Sequence, residues 1–559
     1  MVEKILDICI KNGFLVDKDI LNIFNELNDV KLTEIILESI KKEYTERILT
    51  RNFFNSNKSR LYNSLGNKSS IVEKLFLKLG VSLEITKEVL FHQEEIVPLI
   101  KSSKENIKIL KSYNFNPKKI EVEDFVKSFR VRYNDIRKIL QEHVNLENLT
   151  SIGKISSQKQ GISIIGFVYD KRITKNKNII LVVEDLTGRI SVLINKDRED
   201  IYEKARNVII DDIVGIKCSG NREFLFANDI IFPNCYLSEK KFLERDEIVA
   251  FTSDIHIGSK NFLENNFLRF IDWLNGKNQN YEQLLISQKV KYLFIVGDTV
   301  DGVGIYPSQE KELVIKDIKL QYNLLAEYLS RIRKDITIIL CPGQHDCVIV
   351  AEPQPVLDPT YSEAMYKLDN LILVSNPALI EIKNETKKGI KILMYHGASF
   401  HSYIDELDHL RASKAVNNPT KISKEVLKRR HLSSIHGATS YTPYTTEDPL
   451  VISEVPDIFL TGDLHKPEID MYNNILLVAS SCWQSRTAFE EKVGNNPDPC
   501  KVPILNLKTR AIKILDFSGK EKENEVKIVE ALVDGGNKNE ISVENTKKTE
   551  AEKVEIKNG

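Results

Sequence analysis

The sequence predicts an α+β protein of several domains: a helical amino-terminal region, a five-stranded β-barrel, and a larger domain of apolar strands flanked by helices. Three observations carry that reading. Apolar residues recur at helical spacing through about residue 150, alternate with a period of two over 151–240, and from 245 to 517 gather into short runs that end in glycine, histidine or aspartate. The 559 residues leave room for about three or four domains, and a hydrophobic content of 42% suffices for their cores.

Taken in order, residues 1–50 carry helical spacing at Ile5 and Cys9, at Ile20, Phe24 and Leu27, and at Leu32, Ile35, Ile36 and Ile40, which predicts a small helical module. Between Asn52 and Ser70, ten of nineteen residues are Asn or Ser, so 51–70 is expected to be a linker. The stretch 71–150 is expected to be helical, first in short patterns up to about Lys111. Over 122–143, Phe125, Val126, Phe129, Tyr133, Ile136, Ile139 and Leu140 then make the stripe of a packed helix, with its Lys and Arg residues turned to solvent.

Over 151–240, the runs 162–168, 179–184, 190–194, 213–218 and 224–231 predict five strands, with a turn at Asp185-Leu186-Thr187-Gly188 and a helix over 198–206 after the third. This is the order of an OB-fold barrel, an architecture that reads single-stranded nucleic acid in some proteins and docks protein partners in others. Few aromatics sit in these strands, which favours docking. Residues 518–559 mix acidic and basic side chains without aromatics, the mark of a disordered tail. The apolar run 528–533 leaves open a short partner-binding helix there.

Composition limits the functional classes. The formal net charge is -1, so no global basic field points to nucleic acid, and such binding has to come from local patches. The seven cysteines are spread along the chain without a Cys-x-x-Cys pair; reduced thiols are expected rather than a disulfide framework or a zinc ribbon. The opening Met1-Val2-Glu3-Lys4 lacks the character of a signal peptide, and no run reaches membrane-spanning length. A cytoplasmic location without a membrane partner is expected.

The chemistry lies in 245–517. The apolar run 248–251 is followed by Asp254 and His256, a carboxylate and an imidazole that can grip one cation together. Alone, the pair is equally an ordinary turn. Four further runs repeat the grammar: 291–296 before Gly297-Asp298-Thr299-Val300-Asp301, 336–341 before Pro342-Gly343-Gln344-His345-Asp346, 390–395 before His396-Gly397, and 458–461 before Gly462-Asp463-Leu464-His465. Glycine in such turns lets the backbone bend sharply where a phosphate approaches. Eight of the ten histidines lie between His256 and His465, and five strand ends of this kind predict a site for two metal ions.

These stretches resemble the calcineurin-like metallophosphoesterases, whose pattern is D-x-H, G-D-x-x-D, G-N-H-D, a lone H, and G-H-x-H. The resemblance implies two packed mixed β-sheets flanked by helices. It makes Asp254, His256 and His465 ligands of one metal, Asp298 the bridge, and Gln344, His396 and Asp463 the side of the second metal. His345 becomes the catalytic imidazole, oriented by Asp346, and Asp301 a support behind the ligands. The chain departs from the pattern twice, with Gln344 in place of Asn and Asp463 in place of His, both on the second metal. Gln keeps the amide oxygen on a longer stem. Asp replaces a nitrogen by a hard, charged oxygen, which favours manganese or magnesium.

Flanking stretches narrow the resemblance. Ser253–Ser259, 297–307 (GDTVDGVGIYP), 342–355 (PGQHDCVIVAEPQP), 395–397 and 428–432 are similar to the small subunits of archaeal family-D DNA polymerases over about residues 120–517. That implies a 3'-5' exonuclease that proofreads DNA during replication. It also implies two divalent cations, manganese first and magnesium second, and as partners a large catalytic subunit, DNA and a sliding clamp. Arg429 and Arg430 either hold DNA phosphates or cap a helix over 424–431. Gln484 and Arg486 are candidates to reach the cleft, Trp483 is expected to be buried, and His401, His409 and His436 are expected at the surface or in packing. Two other classes stay open, an inactive scaffold subunit and a free-standing metallophosphatase or nuclease. The retained ligands speak against the first, and the GVGIYP and AEPQP flanks against the second.

Overall fold

A strand that is apolar at every position has to be covered on both faces. The runs between 248 and 479 meet that demand by packing two sheets against each other. The computed structural model describes residues 103–519 except 115–118, 159, 278–279, 386–387 and 494, together with 527–530 and short stretches between 2 and 53. Residue contacts divide the chain into units spanning 1–98 and 99–559. In the first unit, helix Val2–Lys11 buries Ile5 and Cys9, and Leu15–Val16 pairs in parallel with Ile48–Leu49. Ile20, Phe24, Leu37 and Ile40 are also buried. The expected linker, Phe53 apart, and the helical patterns of 71–102 lie outside the described residues.

In the second unit a seven-stranded sheet runs in the order Leu371–Leu373, Thr337–Cys341, Val290–Val296, Ile248–Thr252, Lys501–Asn506, Ile512–Asp516, Lys527–Glu530. Its first four strands are parallel. A six-stranded sheet has the order Glu468–Tyr472, Ile475–Ala479, Ile458–Thr461, Ile390–Tyr395, Ala378–Ile382, Ile107–Lys111. Alternation divides each strand between two cores. Val249, Phe251, Tyr292, Phe294 and Val296 meet Ile392, Met394, Leu460 and Val478 between the sheets. Ile248, Ala250, Leu293 and Ile295 pack outward against helices Glu264–Leu274 and Ile318–Ser330. On the other side, Leu393, Tyr395 and Phe459 face helix Pro419–Arg429 through Ile422, Val426 and Leu427.

Two segments depart from expectation. Ile107–Lys111, expected to close a helical stretch, is a strand paired antiparallel with Ala378–Ile382. Five residues are too few to sustain a helix, whereas the open edge of the sheet satisfies their backbone groups. Lys527–Glu530, expected in a disordered tail, pairs with Ile512–Asp516 at the opposite edge for the same reason. Residues 531–559 lie outside the described residues.

Ahead of the sheets stands a closed barrel in the order Gln160–Ile173, Ile179–Asp185, Gly188–Ile194, Leu225–Ile231, Ile213–Gly220. Helix Glu199–Arg206 follows its third strand. Helix Val122–Gln141 lies on the barrel, with Tyr133, Ile136 and Leu140 against Ile165, Ile213 and Ile231. Not all its cations face solvent. Arg132 is buried, with Nε donating to Asp448 at 2.7 Å and Nη1 to the Ser434 carbonyl at 3.1 Å.

Arg429 and Arg430 are buried as well, so neither holds DNA at the surface. Arg429 Nε donates to Asp212 of the barrel at 3.0 Å, and Nη2 donates to the Asn207 carbonyl. Arg430 follows the helix in the left-handed conformation and donates to the carbonyls of Ile452 and Ser453, each at 2.8 Å. A buried guanidinium needs such partners, and these two find theirs within the fold.

Glu425 lies between His409 and Arg429. Burial alone would raise its carboxyl; the hydrogen bond from His409 and the charge of Arg429 outweigh burial and hold it at about 2. A carboxyl depressed on folding contributes stability above its unfolded value, and that stability is lost as pH falls toward the folded value. Glu425→Gln is therefore expected to flatten the decline of melting temperature between about pH 5 and pH 3, followed by calorimetry. A variant profile parallel to that of the wild type would remove this assignment. Among the described residues no helix is long and apolar enough to cross a membrane.

Candidate metal centre

The proposed ligands stand at the carboxyl ends of five parallel strands, three in the larger sheet, ending at Thr252, Val296 and Cys341, and two in the smaller, ending at Tyr395 and Thr461. Each chain turns sharply there. Asp254, His256, Asp298, Asp463 and His465 all have positive φ, between 47° and 68°, a region that residues with a Cβ seldom occupy. Hydrogen bonds between the loops hold them in it. Asp254 N donates to the Gly297 carbonyl at 3.0 Å, His256 N to that of Asp298 at 3.1 Å, and Gly462 N to that of His396 at 2.9 Å. The motif glycines make room for ligands rather than for a phosphate. A Cβ on Gly297 would lie 2.2 Å from His396 Nδ1, and one on Gly343 would lie 2.2 Å from Asp298 Oδ1.

The side chains converge. His465 Nε2 lies 3.3 Å from Asp254 Oδ1, and His396 Nε2 lies 3.2 Å from Asp298 Oδ2 and 3.9 Å from both Asp254 Oδ1 and Asp463 Oδ1. His256 Nε2 lies 3.9 Å from Asp298 Oδ2. Second bonds fix which atoms face inward. His256 Nδ1 is 3.1 Å from Asp301 Oδ1 and His396 Nδ1 is 2.9 Å from the Val296 carbonyl, which turns each Nε2 toward the centre. Asp254 Oδ2 accepts from the Ser253 hydroxyl and from Asp463 N, and Asp298 Oδ1 accepts from His345 N at 2.8 Å.

Buried polar atoms are normally hydrogen-bonded. Here Asp254 Oδ1, His256 Nε2, Gln344 Oε1, His396 Nε2 and Asp463 Oδ2 are buried without a hydrogen-bond partner. Oxygen and imidazole donors of this kind fit hard or borderline divalent cations. Both departures from the phosphoesterase pattern, Gln344 and Asp463, present such an atom. Among the described residues, Asp254 with His256 and His465, His256 with Asp298 and His345, and Asp254 with Asp298 and His396 form groups close enough to hold an ion.

Electrostatics follows from the crowding. Burial alone would push the Asp298 carboxyl up, but the imidazoles of His396 and His345 hold it well below the usual carboxylate range. Burial likewise opposes charge on His396, and the carboxylates of Asp298, Asp254 and Asp463 outweigh it and push the imidazole well above its ordinary value. The buried carboxylates thus create a strong local demand for positive charge.

His345 sits beside this group, its ring 4.9 Å from that of His256. The expectation that Asp346 orients it is not met. His345 Nδ1 is 2.8 Å from the Asp301 carbonyl, while Asp346 accepts from Thr299, from Gly343 N and from the Tyr322 hydroxyl. The carboxylate next in sequence braces the turn under the imidazole, because the loop directs the two side chains apart. Asp301 supports two histidines at once and is itself held by Gln309 and Gln484.

Two participants stand apart from the strand-end pattern. Glu490, on helix Ala488–Val493, places Oε1 2.9 Å from His465 Nδ1, and Glu352, buried next to Tyr395, has its carboxyl pushed by burial up to about 8. Neither stands at a strand end; Glu352 falls in the AEPQP stretch that narrowed the resemblance, but nothing in the sequence marks Glu490. Gln484 reaches the site from behind through Asp301. Trp483 is buried, with Nε1 donating to Thr252 at 2.8 Å, and Arg486 donates to the Asn495 carbonyl. His401 is exposed, His409 pairs with Glu425, and His436 packs between Phe129 and Tyr441.

The domain thus has two packed sheets with clustered carboxylates and imidazoles at their strand ends, preceded in the unit by a closed barrel. The family of DNA polymerase alpha/epsilon B subunits matches residues 249–470. The DNA polymerase II small subunit of Methanothermobacter thermautotrophicus is 37% identical over 401 residues, covering 71% of this chain and 80% of that protein. The Pyrococcus furiosus small subunit is 39% identical over 416 residues, 73% of this chain and 66% of its own, and that of Archaeoglobus fulgidus is 35% identical over 383 residues, 68% and 75%. The chain belongs to the family of archaeal family-D DNA polymerase small subunits. A solved structure of an archaeal phosphodiesterase aligns with 48% of this chain and 98% of its own at 12% identity and a TM-score of 0.24.

Proposed function

We propose that this subunit is a metal-dependent 3'-5' exonuclease that removes mismatched DNA ends for a large catalytic polymerase subunit. The observation that carries the reading is the set of buried, unpartnered donor atoms on Asp254, His256, Gln344, His396 and Asp463. An inactive scaffold has no need to keep such atoms unsatisfied, because each costs free energy in the absence of an ion. Asp254, His256 and His465 form one donor set, Gln344, His396 and Asp463 the other, and Asp298 lies between them. Two divalent cations there, manganese before magnesium, would supply an activated water and charge neutralisation for in-line displacement at a phosphodiester.

The protein's own task is the leaving group. Cleavage of the terminal phosphodiester breaks the bond from phosphorus to the 3'-oxygen, and that oxygen needs a proton. His345, with Nδ1 committed to the Asp301 carbonyl, keeps Nε2 to deliver it. We read the barrel as an OB fold that docks the large subunit; DNA and a sliding clamp complete the proposed assembly, in the cytoplasm.

The full chain with manganese is expected to release 3'-terminal nucleotides from a mismatched primer-template. Intact primer, both alone and after addition of the large subunit, would refute the nuclease reading and leave a scaffold that retains its ligands.

A further inference from the structure

The loop that follows Asp301 exposes apolar side chains beside the candidate centre. Val303 is 44% exposed, Ile305 40% and Tyr306 38%. The Tyr306 ring lies 6.3 Å from the His345 ring, centroid to centroid, at an interplanar angle of 65°. The backbone that carries it is tied to the chemistry. Gln309 N donates to the Tyr306 carbonyl at 3.2 Å, Gln309 Oε1 accepts from Ile305 N at 2.9 Å, and Gln309 Nε2 donates to the Asp301 carbonyl at 2.7 Å. Asp301 in turn holds His256 and His345. At Gly302, φ is +75° and a Cβ would lie 2.4 Å from the His345 carbonyl oxygen, so the loop leaves the site along one path.

We infer that Tyr306 is the platform on which the base of the 3'-terminal nucleotide stacks. The inference rests on the nuclease reading above and adds to it the part of the nucleotide that the metal ligands do not recognise. Carboxylates, imidazoles and cations address a phosphate, which every nucleotide shares. An exposed aromatic ring anchored beside the imidazole that serves the scissile bond offers a face to the attached base, and stacking of this kind tolerates any base. A base held in a duplex is already stacked and paired; a mismatched or frayed terminal base gives up least on moving to the ring.

The test uses the full chain with manganese on two single-stranded oligonucleotides, identical except that one ends in a normal 3' nucleotide and the other in a 3' abasic nucleotide. Tyr306→Ala is expected to lower kcat/KM about tenfold or more on the normal end and to leave the abasic end within about twofold, while Tyr306→Phe retains wild-type values on both. Equal losses on the two substrates, or none on either, would overturn the inference. A Tyr306→Ala chain that cleaves both normally and only fails to assemble with the large subunit would reassign the loop to a protein contact. If wild type cleaves neither oligonucleotide, alone or after addition of the large subunit, the nuclease reading fails and this inference falls with it; wild-type cleavage with an indifferent Tyr306→Ala removes this inference alone.

Discussion

Asp298→Ala is expected to lower the rate of 3' nucleotide release by about 10³-fold or more and to reduce the metal content of the purified chain. Asp298 faces both donor sets: its Oδ2 lies 3.2 Å from His396 Nε2 and 3.9 Å from His256 Nε2. Asp254 Oδ1 also reaches both sets, at 3.3 Å from His465 Nε2 and 3.9 Å from His396 Nε2, but its Oδ2 is taken by Ser253 and Asp463 N, so it does not make up for the loss of Asp298. The fold should survive. The strands that carry the loops are covered on both faces, and loss of a buried carboxylate also removes a group that is costly to bury. Metal content by elemental analysis, melting temperature and kcat/KM together decide the matter. Wild-type turnover with reduced metal would show that the chemistry lies elsewhere, and an unfolded variant would move Asp298 from the chemistry to the architecture.

His345→Ala should leave metal content unchanged and still slow the reaction, by about 10² to 10⁴-fold. The distinction follows from its second bonds. His256 and His396 have Nδ1 bonded outward and a buried Nε2 without a partner. His345 is only partly buried, at the edge of the group, with Nδ1 on a backbone carbonyl. An imidazole there suits proton delivery to a departing alkoxide. A nucleotide ester with a p-nitrophenolate leaving group needs little help from an acid, so the loss should shrink on that substrate. Equal losses on DNA and on the activated ester, or a parallel loss of metal, would make His345 a ligand instead.

Much of the centre is legible in the sequence because its residues sit where strands end. Asp254, Asp298, His396 and Asp463 each follow an apolar run within a few positions, and glycine next to three of them marks a turn. The reason for those glycines was not legible. Room for a phosphate was the natural expectation, yet His396 and Asp298 themselves fill the space over Gly297 and Gly343. The basic pair Arg429 and Arg430 shows the converse. Side-chain type and spacing could not separate a phosphate contact from a buried brace, and burial against Asp212, Ile452 and Ser453 makes both of them braces.

What the sequence determined by itself is local: the period of each strand and helix, and the donor types at successive strand ends. These depend on neighbours two to four positions apart, which the chain order specifies. Tertiary structure decided the pairings between distant residues. It gave His465 to Glu490, the His345 ring to the Asp301 carbonyl rather than to Asp346, and Ile107–Lys111 to the edge of a sheet built from residues some 270 positions later. Hydrogen bonds and edge pairing are satisfied by whichever group arrives with the right geometry, and that is settled only when the sheets pack.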